Sequence, residues 1–411
     1  MTAGDTRLIV YIAVLCSLLQ GIALRGSKML VSLAALSIGA SQLEVGILAA
    51  LFAAFPLLLA VYAGKISDRI GVKHPMIFGA LVMALGILVP LRLPGLPGLL
   101  VCSTLIGLGH IFFHVSIHNL IGGYGGGEAR TRNFATFSLG ASISAFIGPS
   151  VTGFSIDGWG FAPTFVVLAA ISTLPVLIFT FHPTLIPKRI GHSKREASGS
   201  FELLGNSGLR RTLVMSGVTL TGIELFTFYF PVYGRSVGLS ASAIGMVMAT
   251  YAVAAFIVRL GMHRAAQRLG EVGVLTASLF VAGATYMLVP LVAQAPLLAL
   301  VAFMLGLGLG CAQPLTIILT YNHAPPGRSG EALGMRLTVN KLTQIIVPVV
   351  FGGLGSAFGL IPVFWANGAF LLAGGFVSLA EQRISARRQT GRQDGAEFNA
   401  LITEQKEGDT T

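Results

Sequence analysis

Three histidines lie four residues apart in an apolar stretch of the chain. His110, His114 and His118 belong to GHIFFHVSIHN, the segment from Gly109 to Asn119. A four-residue step turns a helix by about 400°, so the three rings would form one stripe that drifts by ~40° per step. Such a stripe cannot face lipid. It must face a metal ion, a proton path, a substrate or a neighbouring helix.

A metal site is the sharpest interpretation of this stripe, because imidazoles are common ligands of transition ions. His110 and His118 would lie ~12 Å apart along a helix, however, so the three rings cannot all bind one ion. We therefore predict no metal site. Hydrogen-bonded packing against another helix and a stripe that titrates near neutral pH both stay open.

Five charged residues also interrupt apolar stretches. Glu224 is the only acidic residue deep inside such a stretch, and the cations are Arg25, Lys28, Arg336 and Lys341. A charge at the bilayer centre costs ~2.5 to 3.5 kcal/mol, so these groups should face water or one another. Snorkelling towards an interface would suit Arg336 and Lys28, whereas Lys341 lies deeper. Four cations against one acid suggest an anionic substrate, most simply an organic acid.

The elements that carry these residues are membrane helices. Of 411 residues, 54% are hydrophobic and 10% are charged, an apolar content above what a soluble core of this length needs. The three cysteines lie far apart in apolar runs, so no disulfide framework is indicated. The first apolar run offers no small-residue cleavage site, and we interpret it as a retained helix, not a signal peptide.

Apolar runs of about 20 residues predict twelve transmembrane helices in two groups of six. The runs lie near 8–34, 44–64, 74–91, 97–121, 132–156 and 161–182, then 212–234, 241–261, 271–290, 296–321, 332–357 and 361–380. The predicted fold is therefore all-α, with bundles at 1–182 and 212–384. A polar, basic linker at 183–211 joins them, and a disordered tail at 385–411 follows.

The basic residues are distributed unequally between the two membrane faces of this topology. Of 27 Lys and Arg residues, 21 fall on one side, Arg259 among them; Arg92 and Arg235 fall on the other, and four lie within spans. The positive-inside rule then places both termini and the linker in the cytoplasm. Charges spread over short loops exclude nucleic acid as a partner, although the net charge is +11.

The two halves repeat at a constant offset of 199 residues. Glycine and proline recur at matching places, as in Gly39/Gly238, Gly46/Gly245, Gly71/Gly270 and Pro149/Pro348. Because each half has an even number of spans, the repeats should be parallel, related by an axis along the membrane normal.

The same offset pairs polar residues inside the spans. Arg25 meets Glu224, which is compatible with a proton-sensitive ion pair across a cavity or with a permanent structural pair. His114 meets Gln313, and this recurrence of polarity makes His114 the best candidate for contact with a substrate or proton.

The loop after the second span reads GKISDRIGVK and here the chain resembles the major facilitator superfamily, whose signature at this loop is Gly-x-x-x-Asp-Arg-x-Gly-x-Lys/Arg. The resemblance extends to about residue 380. Asp68 could face the positive N-terminus of a helix that starts near Glu331 and so latch the halves together, or the loop could be a solvated turn. The predicted latch residues are Gly64, Asp68, Arg69, Gly71 and Lys73.

The fifth span contains SAFIGPSVTGF, which resembles in part the Gly-Pro motif of proton-driven exporters in that family. Its residues are Gly148, Pro149 and Gly153, whereas Thr152 and Ser144 replace expected glycines. An ordinary proline kink is the alternative. The arginine that such exporters have in the fourth span is missing near Ser103, so its proton-handling role does not transfer.

The resemblance implies a central cavity lined by the first, fourth, seventh and tenth helices, with the fifth and eleventh beside them. The intramembrane polar residues fall on those helices. They are Gln20, Arg25, Lys28, His110, His114, His118, Glu224, Gln313, Arg336, Asn340, Lys341 and Gln344.

We therefore expect a monomeric secondary transporter of the inner membrane, without cofactor, that moves a small-molecule substrate by rocking two bundles around a midplane site. Proton-coupled export of a small organic compound is the leading function. Proton-symport uptake of a carboxylate-like metabolite is the alternative. A non-transporting membrane sensor or scaffold would need an output module, and an enzyme would need a catalytic cluster in the aqueous loops; neither is apparent.

Overall fold

A computed structural model describes residues 3–123, 127–181, 200–325, 328–380 and 382, and every regular element within these ranges is a helix. The predicted tail at 385–411 and most of the predicted linker lie outside the described residues. The first six helices are α1 (Ala3–Ser37), α2 (Gln42–Ile70), α3 (Lys73–Leu88), α4 (Leu96–Gly123), α5 (Gly127–Trp159) and α6 (Phe161–Phe181). The next six are α7 (Ser207–Ser236), α8 (Ala241–Leu288), α9 (Ala295–Leu309), α10 (Ala312–His323), α11 (Ser329–Phe358) and α12 (Leu360–Ala380).

The described residues contain 11 helical segments that are long and apolar enough to cross a membrane. One of them, Ala241–Leu291, has 51 residues and would be ~75 Å long if straight, more than twice the hydrocarbon thickness. Gly270 breaks this segment with φ 73° and ψ 159°, so it crosses the membrane twice. The twelve predicted passes are therefore confirmed.

The break at Gly270 repeats a feature of the first half. Gly71, which ends α2, has φ 87° and ψ 165°, and it lies 199 residues before Gly270. A residue with a Cβ atom is strained at such a positive φ, so glycine permits the turn in both repeats. The duplicated sequence thus specifies the same backbone turn at equivalent places.

Helices α1–α6 form one bundle and α7–α12 form the other. Across the interface, α2 packs against α11 and α5 packs against α8. We call the membrane face at which α1 begins and α12 ends the terminal face, and the other the opposite face.

The second bundle begins earlier than the predicted linker boundary. A short 3-10 helix covers Ser200–Gly205, and Asn206 caps α7 by accepting from the amides of Gly208 and Leu209. Arg328 joins the 3-10 helix to α11 through Glu202 at 3.2 Å and Glu331 at 2.8 Å. The hydrogen bond to the Glu331 carboxylate raises the pKa of Arg328.

Candidate functional site

A cavity of about 420 Å³ lies between the bundles, near the middle of the helices that line it. Helices α1, α4 and α5 line it from one side, and α7, α8, α10 and α11 line it from the other. On α8 the lining residues are Met248, Tyr251, Ala252, Ala255 and Arg259, spaced so that they share one helical face.

The cavity is closed towards the opposite face by two equivalent helix caps. Asp157 at the end of α5 accepts from the backbone amides of Ala241 (3.1 Å) and Ser242 (2.7 Å) at the start of α8. In the other half, Ser356 of α11 accepts from the amide of Leu43 at the start of α2, at 2.9 Å. Asp157 and Ser356 are related by the 199-residue offset, as are Leu43 and Ser242.

Close backbone approach completes this closure. A Cβ atom on Gly46 would overlap the carbonyl oxygen of Pro348, and one on Gly245 would overlap that of Pro149. The hydroxyl of Tyr229 donates to the Pro348 carbonyl at 2.6 Å and lies 3.2 Å from the carbonyl oxygen of Gln42. Glycine at these positions therefore allows the two bundles to touch.

Towards the terminal face the bundles have separate cores. One apolar cluster there contains Met76 and Phe179 of the first bundle, and another contains Leu209 and Ala332 of the second. Neither cluster includes residues of both bundles. Among the described residues, the contacts that join the bundles therefore lie at the opposite face and around the cavity, and the cores at the terminal face are separate.

An ion pair joins the bundles at the cavity. Lys28 Nζ lies 3.4 Å from Glu224 Oε2, with side chains 16% and 5% exposed. Gln344 donates to Glu224 Oε1 at 2.9 Å, and Lys341 donates to Gln344 at 2.9 Å. Both carboxylate oxygens of Glu224 therefore have a donor. The structure pairs Glu224 with Lys28, not with Arg25, its partner in the repeat, and Lys28 does not snorkel.

Two arginines line the same cavity without a carboxylate partner in the described part of the chain. Arg25 Nη1 donates to Ser144 Oγ at 2.8 Å. Arg259 donates through Nε to the Gly310 carbonyl (2.9 Å) and through Nη1 to Ser142 Oγ (3.2 Å). Sequence reasoning placed Arg259 with the cytoplasmic loop charges, which is wrong. The repeat could have placed Arg259 inside a span, because Arg259 corresponds to Ala60, which lies ten residues before the end of α2.

The histidines form a stack along α4, as their spacing predicted. Ring centroids of His110 and His114 lie 5.0 Å apart, and those of His114 and His118 lie 4.1 Å apart. His110 and His114 line the cavity, whereas His118 lies against Phe137, with its Nδ1 2.7 Å from the His114 carbonyl oxygen. Among the described residues no group of three or more His, Cys, Asp or Glu side chains is suited to a metal ion.

The remaining predicted site residues belong to buried polar networks. Gln20 exchanges hydrogen bonds with Ser172 of α6, through Nε2 to its carbonyl and through Oε1 from its hydroxyl. Arg336 is 5% exposed and donates to Gln313 Oε1 and to Ser216, whose hydroxyl donates to Asn340. The snorkelling expected for Arg336 is therefore wrong, because its guanidinium lies inside the second bundle.

The two predicted motifs lie at different depths. Asp68 accepts from Asn119 of α4 at 3.4 Å, within the first bundle and at the terminal face. Gly148 contacts the backbone of α1, and Gly153 contacts that of α8. Thr152 faces Gly26, so the missing side chain of α1 makes room for a threonine where glycine was expected. The Gly-Pro segment of α5 thus fills the space between α1 and α8.

Two parallel six-helix bundles around a central polar cavity define a membrane transporter with an alternating-access architecture. The sequence profile of the Major Facilitator Superfamily matches residues 13–237 and 212–405. The chain belongs to this superfamily, and it is a multi-pass membrane transporter of small molecules, not an enzyme.

Curated relatives are distant in sequence. An MFS-type transporter of Methanocaldococcus jannaschii is 20% identical over 353 residues, which cover 83% of this chain and 90% of the relative. The multidrug resistance protein MdtG of Enterobacter lignolyticus is 24% identical over 329 residues, 77% of each chain.

Solved structures share the fold. A bacterial homolog of the human lysosomal transporter Spinster, in an inward-facing and unoccupied conformation, superposes with a TM-score of 0.76 at 14% identity. It covers 93% of this chain and 98% of its own. The nucleoside transporter NupG superposes with a TM-score of 0.78 at 14% identity, over 90% of this chain and 99% of its own.

Proposed function

We propose that this protein is a proton-coupled exporter of small organic compounds in the cytoplasmic membrane, with its terminal face in the cytoplasm. The observation that carries the proposal is the Lys28–Glu224 pair, which links the two bundles beside the cavity. Glu224 is the one carboxylate that lines the cavity within the described ranges. It is therefore the group best placed to couple a proton to bundle movement.

The geometry supports a simple exchange of partners. Both oxygens of Glu224 accept a hydrogen bond and keep a free lone pair, so an arriving proton can bind either oxygen and removes the charge that attracts Lys28. If it displaces Lys28, the link between the bundles is lost and the cavity gains a free ammonium group. Loss of the proton on the cytoplasmic side restores the pair and the conformation described above.

Export is the direction we favour, for two reasons. Several relatives are named multidrug resistance proteins, and the α5 segment resembles the exporter motif. Uptake of a carboxylate-like metabolite with protons is the second candidate, favoured by the two cavity arginines that lack an acidic partner.

Purified protein in proteoliposomes with a pH-sensitive dye in the lumen tests the proposal. Organic acids and cationic drugs are added outside under an imposed proton gradient. A substrate-dependent proton flux opposite to substrate movement supports export, and a flux in the same direction supports uptake. If no compound moves protons while the fold and the binding of a ligand are retained, proton coupling is wrong. Glu271→Gln, which alters an acid remote from the cavity, is the control variant.

A further inference from the structure

We propose that Arg25 and Arg259 together form the anion subsite of the cavity, and that its ligand is a small amphipathic carboxylate. This inference rests on the proposed transport function and specifies the substrate class. The two arginines come from different bundles, Arg25 from α1 and Arg259 from α8. Both donate to serines of α5, Ser144 and Ser142.

The hydrogen-bonding capacity of the arginines is largely unused. A guanidinium has five N–H groups. Within the described residues Arg25 uses one and Arg259 uses two, all with hydroxyl or carbonyl oxygens. Ser144 and Ser142 direct their own hydroxyl protons to the carbonyls of Ala141 and Ser138, so they serve the arginines as acceptors. Several guanidinium donors therefore remain for a ligand that supplies only acceptors.

The charge of the cavity wall also favours an anionic ligand. Lys28 and Glu224 neutralise each other at 3.4 Å, so the arginines provide the uncompensated charge of the cavity wall. A cation within a membrane is stabilised by a counter-charge, and guanidinium groups bind planar oxyanions through paired hydrogen bonds. A carboxylate held by both arginines would also connect the two bundles.

The rest of the wall favours an apolar body on that carboxylate. The apolar and aromatic lining residues include Leu24, Phe113, Phe137, Ile223, Phe226 and Tyr251. Phe226 and Tyr251 stack with centroids 4.6 Å apart and present a flat surface. A volume of about 420 Å³ is within the range of pockets that hold small organic ligands.

Three probes with one ring and different charges test the inference: benzoate, benzamide and benzylammonium. Unfolding of the purified full chain in detergent is followed with a maleimide dye, because Cys16, Cys102 and Cys311 are buried and react only on unfolding. We expect benzoate to raise the Tm of the wild type, with little effect of benzamide or benzylammonium. Arg25→Gln and Arg259→Gln should weaken apparent benzoate affinity by about tenfold or more, as for a lost hydrogen bond to a charged group.

Arg264→Gln is the matched control, since Arg264 is exposed on the same helix five residues further on. It should bind benzoate as the wild type does. If Arg259→Gln fails to fold, Arg259→Lys replaces it; this variant keeps the charge and should still prefer benzoate to benzamide. Equal effects of benzoate and benzamide on the wild type, a preference for benzylammonium, or equal losses in Arg259→Gln and Arg264→Gln would each overturn the subsite.

The measurement needs no gradient and is independent of proton coupling. A protein that binds benzoate through the arginines but shows no proton-linked flux would keep the anion subsite and lose the proposed coupling. A protein that couples protons to a cation and does not bind benzoate would keep the proposed coupling and lose the anion subsite.

Discussion

Glu224 is held by donors of two kinds, one from each bundle. Lys28 belongs to α1, and Gln344 belongs to α11, where Lys341 fixes the orientation of the Gln344 amide by donating to its oxygen. Lysine can only donate, so the amide must present its N–H to Glu224. The Gln344 contact can persist when the bundles move, since α7 and α11 share a bundle, whereas the Lys28 contact cannot.

Replacing Glu224 by glutamine separates coupling from structure. If Glu224 carries the coupling proton, Glu224→Gln should abolish gradient-driven accumulation but retain substrate exchange, because exchange needs the cavity and no net proton movement. Both activities are measured on the same purified variant in proteoliposomes. A merely structural pair would leave Lys28 unpaired in the variant, lower the folded yield and impair both activities together. Unchanged gradient-driven accumulation would exclude a coupling role.

The histidine stack allows a comparison between neighbours. His114 is exposed to the cavity, while His118 lies against Phe137 and contacts the α4 backbone. We expect His114→Ala to change substrate affinity or the pH profile of transport by about fivefold, the effect of roughly 1 kcal/mol, and His118→Ala mainly to lower Tm. Transport rates across a pH series and melting curves measure the two effects. Equal, purely thermal losses would assign the whole stack to packing.

At this scale the sequence was informative where a polar residue interrupts an apolar run. Glu224, His114 and Gln313 were identified on that ground, and all three line the cavity. The partners of the charged residues were not predictable from the sequence, because helix rotation and tilt decide which neighbouring group a side chain reaches. Glu224 lies beside Lys28, while Arg25, one helical turn earlier, turns towards α5. Arg259 was missed because hydropathy alone does not distinguish an arginine near the end of an apolar run from a loop cation, although its correspondence with Ala60 in the repeat does.

Among the elements, the turn between α2 and α3 carries the predicted latch. Asp68 lies at the terminal face, where the bundles have separate cores, and its carboxylate accepts from Asn119. Closure of this face would bring it towards the start of α11. A carboxylate at a helix N-terminus contributes about 1 kcal/mol, so we expect Asp68→Asn to slow transport about fivefold with little loss of folded protein. Initial transport rates of Asp68→Asn and the wild type measure this slowing. Gln267→Ala, at the equivalent position of the other repeat, is the control; a wild-type rate for Asp68→Asn would contradict the latch.

Helix α2 contacts α11 through a glycine. Gly46→Ala would place a methyl group on the Pro348 carbonyl and near the Tyr229 hydroxyl. Overpacking of this kind costs about 1–3 kcal/mol, and here it would destabilise the conformation that is closed at the opposite face. We expect slower transport and a lower Tm. Gly261→Ala on α8, where a Cβ meets no atom within 4 Å, should keep the wild-type rate. Equal behaviour of the two variants would show that the close contact is unimportant.

Helix positions followed from apolar runs and helix ends did not. The predicted second span ended at residue 64, yet α2 continues through the polar residues of the motif to Ile70. A helix that leaves the membrane keeps its backbone hydrogen bonds, so its polar extension has no hydropathy signal. Glycine marked the true ends of the helices. Gly71 follows the last residue of α2, and Gly270 interrupts α8.

The whole molecule is two copies of one bundle, but its closure is not symmetric. Asp157 provides two charged acceptor contacts to α8, whereas Ser356 provides one neutral contact to α2. Loss of a helix cap costs about 1 kcal/mol, so Asp157→Ala should raise the population open at the opposite face about fivefold, and Ser356→Ala by less. Labelling of Thr227→Cys, a cavity position, by an impermeant reagent applied from that face measures the population. Equal labelling of both variants and the parent would refute this asymmetry.

The caps at the opposite face have a consequence for amide hydrogen exchange. The first amides of a helix have no acceptor within it, so those of Leu43, Ala241 and Ser242 depend on side chains of the other bundle. Separation of the bundles at this face exposes them to water at once, while the amides deeper in α2 and α8 keep their intrahelical bonds. Deuterium uptake at these three amides would therefore measure how often the opposite face opens in the unmodified protein.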